Sequence, residues 1–368
     1  MSRTIAAAVL RHPDEQFTLE QLSLPEPVED QILVRVVAAG MCHTDLLARQ
    51  PGSFVRPPIV LGHEGSGVVE AVGPRAADVA IGDHVVLTFD SCGTCLNCLD
   101  GHPAYCTTFW PRNFSGHALN GSASATDADG GRVAAQWFGQ SSFATHALAS
   151  ARNAVVVDAT LPLHLLAPLG CSIQTGAASI TRALGVTVGD NVAVFGSGSV
   201  GLAAVMAAHA AGAAKIVGVD TEPRRLELAQ ELGATHAIRG NTDELRRALK
   251  CIAPEGLDAA LDTTGVPAVI DVALGALRLR GCCGLVGSPR ADLTLSRTAV
   301  SLGREVKGIL QGDAVPKRFI PTLVELWRAG RLPFDRLITE YALEDVNEAE
   351  RAMRSGEVIK VVLRPPSA

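Results

Sequence analysis

Between residues 31 and 87 the chain is built from short apolar runs interrupted by glycine. QILVRVVAAG (31–40) alternates apolar and polar positions and then turns apolar, while GSGVVEAVG (65–73) and GDHVVL (82–87) are β-branched runs, so this half reads as strands joined by long loops. From about residue 172 the pattern changes. Short apolar segments, NVAVFG (191–196) and KIVGVD (215–220), alternate with helical ones, VGLAAVMAAHAAG (200–212) and RRLELAQELG (224–233). Such alternation predicts a parallel sheet with helical crossovers. LDAALDTTG (257–265), CCGLVGSP (282–289) and REVKGIL (304–310) are further expected strands, with VPAVIDVALGALRLRG (266–281) read as helical. PKRFIPTLVELWRAGRL (316–332) predicts a helix and GEVIKVVLRP (356–365) a closing strand, and NGSASATDADGGR (120–132) reads as a surface loop.

At 368 residues the chain exceeds the usual size of one hydrophobic core, so two domains are expected. Hydrophobic residues at 47% and charged residues at 19% exclude long-range disorder. A net charge of −6, with Lys and Arg dispersed, argues against nucleic acid as a partner. The apolar run near the N-terminus is ended by Arg11, His12 and Pro13 too soon for a signal peptide, and no window approaches a membrane span; a cytoplasmic protein is expected. Nine cysteines, an odd number, then suggest free thiols or metal ligands rather than a disulfide framework.

Three groups of residues carry chemistry. In SCGTCLNCLDGHPAYC, Cys92, Cys95, Cys98 and Cys106 stand at C-x2-C-x2-C-x7-C spacing. Four soft ligands in a turn-rich loop suit tetrahedral zinc, and a closed shell of thiolates makes the site structural. An iron–sulfur reading lacks the C-x3-C-P continuation, and unliganded thiols are the remaining alternative. Cys42 in GMCHTD, His63 in GHEG and Cys171 in PLGCSIQTG have no local spacing in common; each alone reads as an ordinary buried residue. Together, two thiolates and an imidazole match a catalytic zinc arrangement with one open position, with Asp45 and Glu64 beside the ligands and able to orient them. The third group is GSGSVG: Gly196, Gly198 and Gly201 follow a strand and open a helix, as a pyrophosphate-binding turn requires. Asp220 ends the next strand, nineteen residues beyond Gly201, where an acid binds ribose hydroxyls and favours NAD over NADP.

In combination and in order, GMCHTD, GHEGSG, the four-cysteine lobe, GCSIQTG and GSGSVG with Asp220 resemble the zinc-containing medium-chain alcohol dehydrogenases over nearly the whole chain. The resemblance implies an α/β protein: a GroES-like β-rich catalytic domain (1–171 and 310–368, zinc lobe about 91–107) plus a Rossmann doubly wound parallel-sheet domain (172–309) that binds NAD. It implies two zinc ions, a catalytic one on Cys42, His63 and Cys171 and a structural one on Cys92, Cys95, Cys98 and Cys106. Thr44 matches the hydroxyl that passes the substrate proton outward, and Asp45 and Glu64 match carboxylates behind the metal, Glu64 as an occasional ligand. Ser199 and Val200 fall at the pyrophosphate turn, Arg225 beside the adenosine ribose, Thr175 and Val286 near the nicotinamide, and Lys360 where relatives contact the pyrophosphate. His43 stands where many members carry Arg, and Leu47 where many have a histidine that ends the proton relay.

MCHTDLLARQ, CLDGHPAYC and PLGCSIQTGA look most like the aryl or benzyl alcohol dehydrogenase subgroup. The resemblance sets Phe89, Trp110, Trp137 and Phe138 around the substrate cleft, where they would stack on a flat ring; core packing is the alternative for each. The expected activity is reversible, NAD-linked oxidation of a primary alcohol to an aldehyde by a homodimer or homotetramer. A glutathione-dependent formaldehyde dehydrogenase, a broad short-chain alcohol dehydrogenase and a non-catalytic NAD-sensing protein are the rival readings.

Overall fold

The computed structural model describes the chain except Met1, Pro51, Asn120, residues 122–124, Asn241, Thr298, Val300 and residues 367–368. It divides into two compact units. The first comprises Met1–Cys171, Val315–Pro321 and Asp335–Ala368; the second comprises Ser172–Ala314 and Thr322–Phe334.

In the first unit, the alternating segment becomes the strand Gln31–Gly40, which pairs antiparallel with Glu64–Val72, His146–Ser150 and Lys360–Arg364. These belong to a seven-stranded sheet that His84–Leu87, Ala154–Val157 and Ile338–Ala342 complete. A second sheet of five strands is centred on Arg3–Leu10 and Thr18–Leu24. Gly40 thus ends one strand beside Glu64, which begins another, and the register Gly40↔Glu64 brings Cys42 and His63 together. Within the expected 120–132 loop, Ala125–Thr126 and Arg132–Val133 form a small hairpin, while Asn120 and residues 122–124 lie outside the described residues. The Asp127 side chain closes the hairpin by accepting the Gly131 N–H at 2.7 Å.

The second unit contains a six-stranded parallel sheet, in the order His236–Arg239, Lys215–Asp220, Asn191–Phe195, Leu257–Asp262, Leu277–Leu285, Glu305–Gly308. In chain order this is 3-2-1-4-5-6, the doubly wound arrangement that binds dinucleotides at the carboxyl end of its first strand. The helices Ser199–Ala211, Pro223–Glu231, Thr242–Ile252 and Pro267–Gly275 are the crossovers. One expectation is corrected here: the helical reading of 266–281 holds only to Gly275, and Leu277 already begins a strand. Pairing with Leu257–Asp262 draws the Leu-Arg-Leu-Arg alternation into the sheet, so tertiary context overrides local helix propensity. Phe195, Val217, Leu257, Ile270 and Leu274 pack in the core beneath it.

Candidate functional site

Cys42 follows the strand Gln31–Gly40 and caps the short 3-10 helix His43–Arg49; His63 and Glu64 open the strand Glu64–Val72; Cys171 follows the turn Ala167–Gly170. Ligand atoms of Cys42, His63, Glu64 and Cys171 lie within 4.8 Å of one another, so the scattered residues converge inside the first unit. His63 is 1% exposed. Its Nδ1 donates to Asp45 Oδ1 at 2.9 Å, which leaves Nε2 as the free lone pair; that buried atom has no hydrogen-bond partner among the described residues. A buried imidazole nitrogen lacking a partner beside two thiols is the donor set of a zinc ion, and the residues fit that metal.

Asp45 is the hub behind the ligands. Its Oδ1 also accepts the Gly62 N–H at 3.1 Å and the Trp137 indole N–H at 2.9 Å, and its Oδ2 accepts the Cys42 N–H at 3.0 Å. Electrostatics follow the geometry. The hydrogen bond from Cys171 pulls the Cys42 thiol far below its ordinary range, and Cys171 is itself pushed well above. Against burial, Asp45 and Cys42 raise His63 to about 10. Cys42 and Cys171 thus share a proton, and the negative charge that holds a proton on His63 is what a bound cation would take over. Glu64 Oε2 meets Lys360 Nζ at 2.5 Å, both side chains being fully buried. Burial pushes Glu64 up, whereas Glu64 and Cys42 hold Lys360 above its ordinary value against burial; the contact is an ion pair whose carboxylate is poorly solvated. Thr44 Oγ1 lies 3.7 Å from Cys42 Sγ, while His43 is exposed and Leu47 half-buried.

The four-cysteine lobe is a second cluster in the same unit, its four sulfurs all within 4.8 Å. Cys95 Sγ to Cys98 Sγ is 3.6 Å and Cys92 Sγ to Cys98 Sγ is 3.9 Å. A tetrahedron with zinc–sulfur bonds of about 2.3 Å has edges of about 3.8 Å, so these sulfurs fit a zinc ion. Backbone N–H groups of Thr94 and Cys95 point at Cys92 Sγ, at 3.4 and 3.2 Å, and that of Cys92 points at Cys106 Sγ at 3.2 Å. Despite the desolvation that opposes it, these donors bring the Cys92 thiol down to about 5, while burial and Cys95 push Cys98 up to about 12.

In the second unit, Gly196 has φ +94°, and a Cβ on Gly201 would stand 1.8 Å from the Gly196 carbonyl oxygen, so turn and helix can meet only with glycine at both positions. Nothing lies within 4 Å of a Cβ built on Gly198, and Ser199 and Val200 start the helix. Asp220 accepts the Ser197 N–H at 2.6 Å, which ties the acid to the glycine turn, and Arg225 Nη1 lies 4.0 Å from it. Thr175 Oγ1 faces Gln311 Oε1 at 3.4 Å, and Val286, half-buried, donates its N–H to the Asp262 carbonyl.

The structure departs from the sequence expectation at Lys360. Its ammonium is 1% exposed, donates to the Met41 carbonyl at 2.9 Å and is ion-paired with Glu64, so it is committed behind the metal ligands. The four aromatic residues also separate. Trp110 is 61% exposed, whereas Phe89, Trp137 and Phe138 are buried. Phe138 stacks on the His63 ring with centroids 4.5 Å apart. Gln140, which the sequence reading missed, accepts from Gly65 N–H and donates to the His63 carbonyl, each at 2.9 Å, holding the backbone on both sides of Glu64. No spacing in the sequence marks it.

Comparison with known proteins agrees with this construction. Residues 28–159 match the alcohol dehydrogenase GroES-like domain and residues 199–328 the zinc-binding dehydrogenase domain. A geraniol dehydrogenase of Castellaniella defragrans is 45% identical over 97% of this chain and 96% of its own. Among solved structures, an alcohol dehydrogenase zinc-binding domain protein from Burkholderia ambifaria superposes with a TM-score of 0.97 at 46% identity, covering all of both chains. Benzyl alcohol dehydrogenase from Acinetobacter calcoaceticus gives a TM-score of 0.94 at 41% identity, covering 99% of this chain and 100% of its own. With its two thiol-rich clusters and its doubly wound sheet, the chain belongs to the zinc-containing medium-chain alcohol dehydrogenase family.

Proposed function

We propose that the protein oxidises primary aryl or allylic alcohols to aldehydes with NAD, the reaction being reversible. The observation that carries this reading is the convergence of Cys42, His63 and Cys171, with the buried His63 Nε2 facing the thiols and accepting no hydrogen bond among the described residues. Benzyl alcohol dehydrogenase and geraniol dehydrogenase among the relatives support the substrate class.

Cys42, His63 and Cys171 would hold the catalytic zinc, and Cys92, Cys95, Cys98 and Cys106 the structural one. When bound, the two reactive groups supply Lewis acidity that makes an alcohol hydroxyl acidic near neutral pH, from zinc, and a hydride acceptor, from the nicotinamide. Asp45 fixes the His63 tautomer. Thr44 takes the substrate proton at its hydroxyl and passes it outward; Leu47 offers no acceptor, so the relay ends at water. Gly196, Gly198, Ser199, Val200 and Gly201 cradle the pyrophosphate, while Thr175 and Val286 border the nicotinamide. Asp220, with Arg225 nearby, receives the ribose hydroxyls and disfavours a 2′-phosphate, which selects NAD over NADP. Trp110, linked through Phe109 and Phe114 to the buried Phe89, Trp137 and Phe138, supplies the aromatic side of the substrate region. We further read the protein as a cytoplasmic homodimer or homotetramer, its nine free cysteines suiting a reducing compartment.

The test is NADH formation, followed by absorbance, with benzyl alcohol, geraniol, ethanol and S-hydroxymethylglutathione, with and without a chelator. Turnover of benzyl alcohol or geraniol above ethanol, lost on chelation, is expected. Preference for the glutathione adduct would replace the substrate class, and no turnover with any of the four, at one zinc per chain, would favour a sensor.

A further inference from the structure

We propose that Trp137 is a positioning residue for the metal cluster, its indole N–H fixing Asp45 and, through Asp45, the imidazole of His63. The inference rests on reading Cys42, His63 and Cys171 as a zinc site. Tryptophan is a donor only, and this one is 0% exposed, so its N–H must find an acceptor inside the protein. It finds Asp45 Oδ1 at 2.9 Å, the same oxygen that receives His63 Nδ1. Two N–H groups and the Gly62 amide therefore converge on one carboxylate oxygen, and a carboxylate held by several donors has little freedom to rotate. The His63 ring follows it, because the partner of Nδ1 decides where Nε2 points.

The neighbouring residue constrains the other direction. Phe138 lies on the face of the His63 ring, with an interplanar angle of 28°. It does so from φ +50°, a left-handed conformation that a bulky side chain rarely adopts. The surrounding turn holds it there: the Trp137 N–H donates to Ser141 Oγ at 2.8 Å, and Ser141 Oγ donates to the Val60 carbonyl at 2.6 Å. One turn, 137–141, thus grips His63 in its plane through Trp137 and Asp45 and across its face through Phe138.

The experiment uses the full-length zinc protein, Trp137→Phe, and a variant carrying benzothienylalanine at position 137, which keeps the ring shape but has no N–H. Zinc release to a chromophoric chelator is followed, with Cys42→Ala identifying the phase that belongs to the catalytic cluster. The four-cysteine zinc, in the same unit, is the internal reference. Both variants are expected to release the cluster zinc about tenfold faster or more, with the four-cysteine phase unchanged. If Trp137→Phe does not fold, the benzothienylalanine variant decides alone. An unchanged cluster phase, or equal acceleration of both phases, overturns the proposal, the second because it marks a general loss of packing. A wild-type chain that holds a single zinc overturns the zinc reading itself and the inference with it, an outcome visible before any variant is made.

Discussion

At the scale of single residues, the Lys360–Glu64 contact is the sharpest case of burial governing chemistry. Both side chains are essentially excluded from solvent, and each is the other's compensating charge at 2.5 Å. A buried pair adds little net stability over an apolar pair of the same shape, but removing one member strands the other. Lys360→Met is therefore expected to lower the unfolding free energy by about 3–5 kcal/mol. Adding Glu64→Gln should recover most of that loss, because the stranded charge is gone. Urea unfolding of the two single variants and the double variant forms a cycle that checks the coupling. Additive effects would show that the two groups do not stabilise each other. The same pair keeps Glu64 turned toward Lys360 at the edge of the cysteine–histidine cluster, so the cycle also reports on what orients the carboxylate nearest the metal ligands.

Between elements, Glu70 joins the two sheets of the first unit. Its carboxylate lies 3.1 Å from Arg3 Nη2 on the strand Arg3–Leu10, 3.1 Å from Arg35 Nε on Gln31–Gly40, and 3.2 Å from His146 Nε2 on His146–Ser150. Burial, with Arg3 and Arg35 alongside, holds the His146 pKa below its ordinary value despite Glu70. The unfolded chain consequently binds a proton on this residue at a higher pH than the folded chain does. Stability therefore falls as pH drops from the ordinary histidine value, about 6.5, toward the depressed one, and is unaffected by this group well above it. His146→Gln, which keeps a polar side chain without a titrating ring, is expected to weaken the loss of stability between pH 7.5 and about 5.5. Unfolding midpoints of the zinc-loaded proteins at the two pH values provide the measurement. An identical acid-side slope in both proteins would show that His146 is not the titrating group.

Across the whole molecule, local chemistry was legible in the sequence and long-range pairing was not. GSGSVG could be read because its strand, turn and helix are contiguous, and the four lobe cysteines because a short loop contains them. Cys42, His63 and Cys171 could be grouped by their residue types and by family resemblance alone, since period and spacing say nothing about residues brought together by a sheet register such as Gly40↔Glu64. Trp137 on Asp45, 92 positions away, and Lys360 on Glu64 had no local signal at all, and Leu277 joined a sheet against its neighbours' helical pattern. The division into units makes one consequence testable. Both thiol clusters belong to the first unit, whereas the glycine turn and Asp220 belong to the second. Cys42→Ala should thus remove one zinc and abolish turnover while NADH affinity, measured by nucleotide fluorescence, stays within about threefold, since a threefold change is under 1 kcal/mol. Cys92→Ser should also cost one zinc, but there the loss should appear as a lower Tm, because metal held by a closed thiolate shell contributes directly to folding free energy. If Cys42→Ala retained activity, or Cys92→Ser kept both its metal and its Tm, the roles of the two clusters would have to be reassigned; if Cys42→Ala lost NADH binding at unchanged Tm, cofactor affinity would depend on the metal cluster and not on the glycine turn alone.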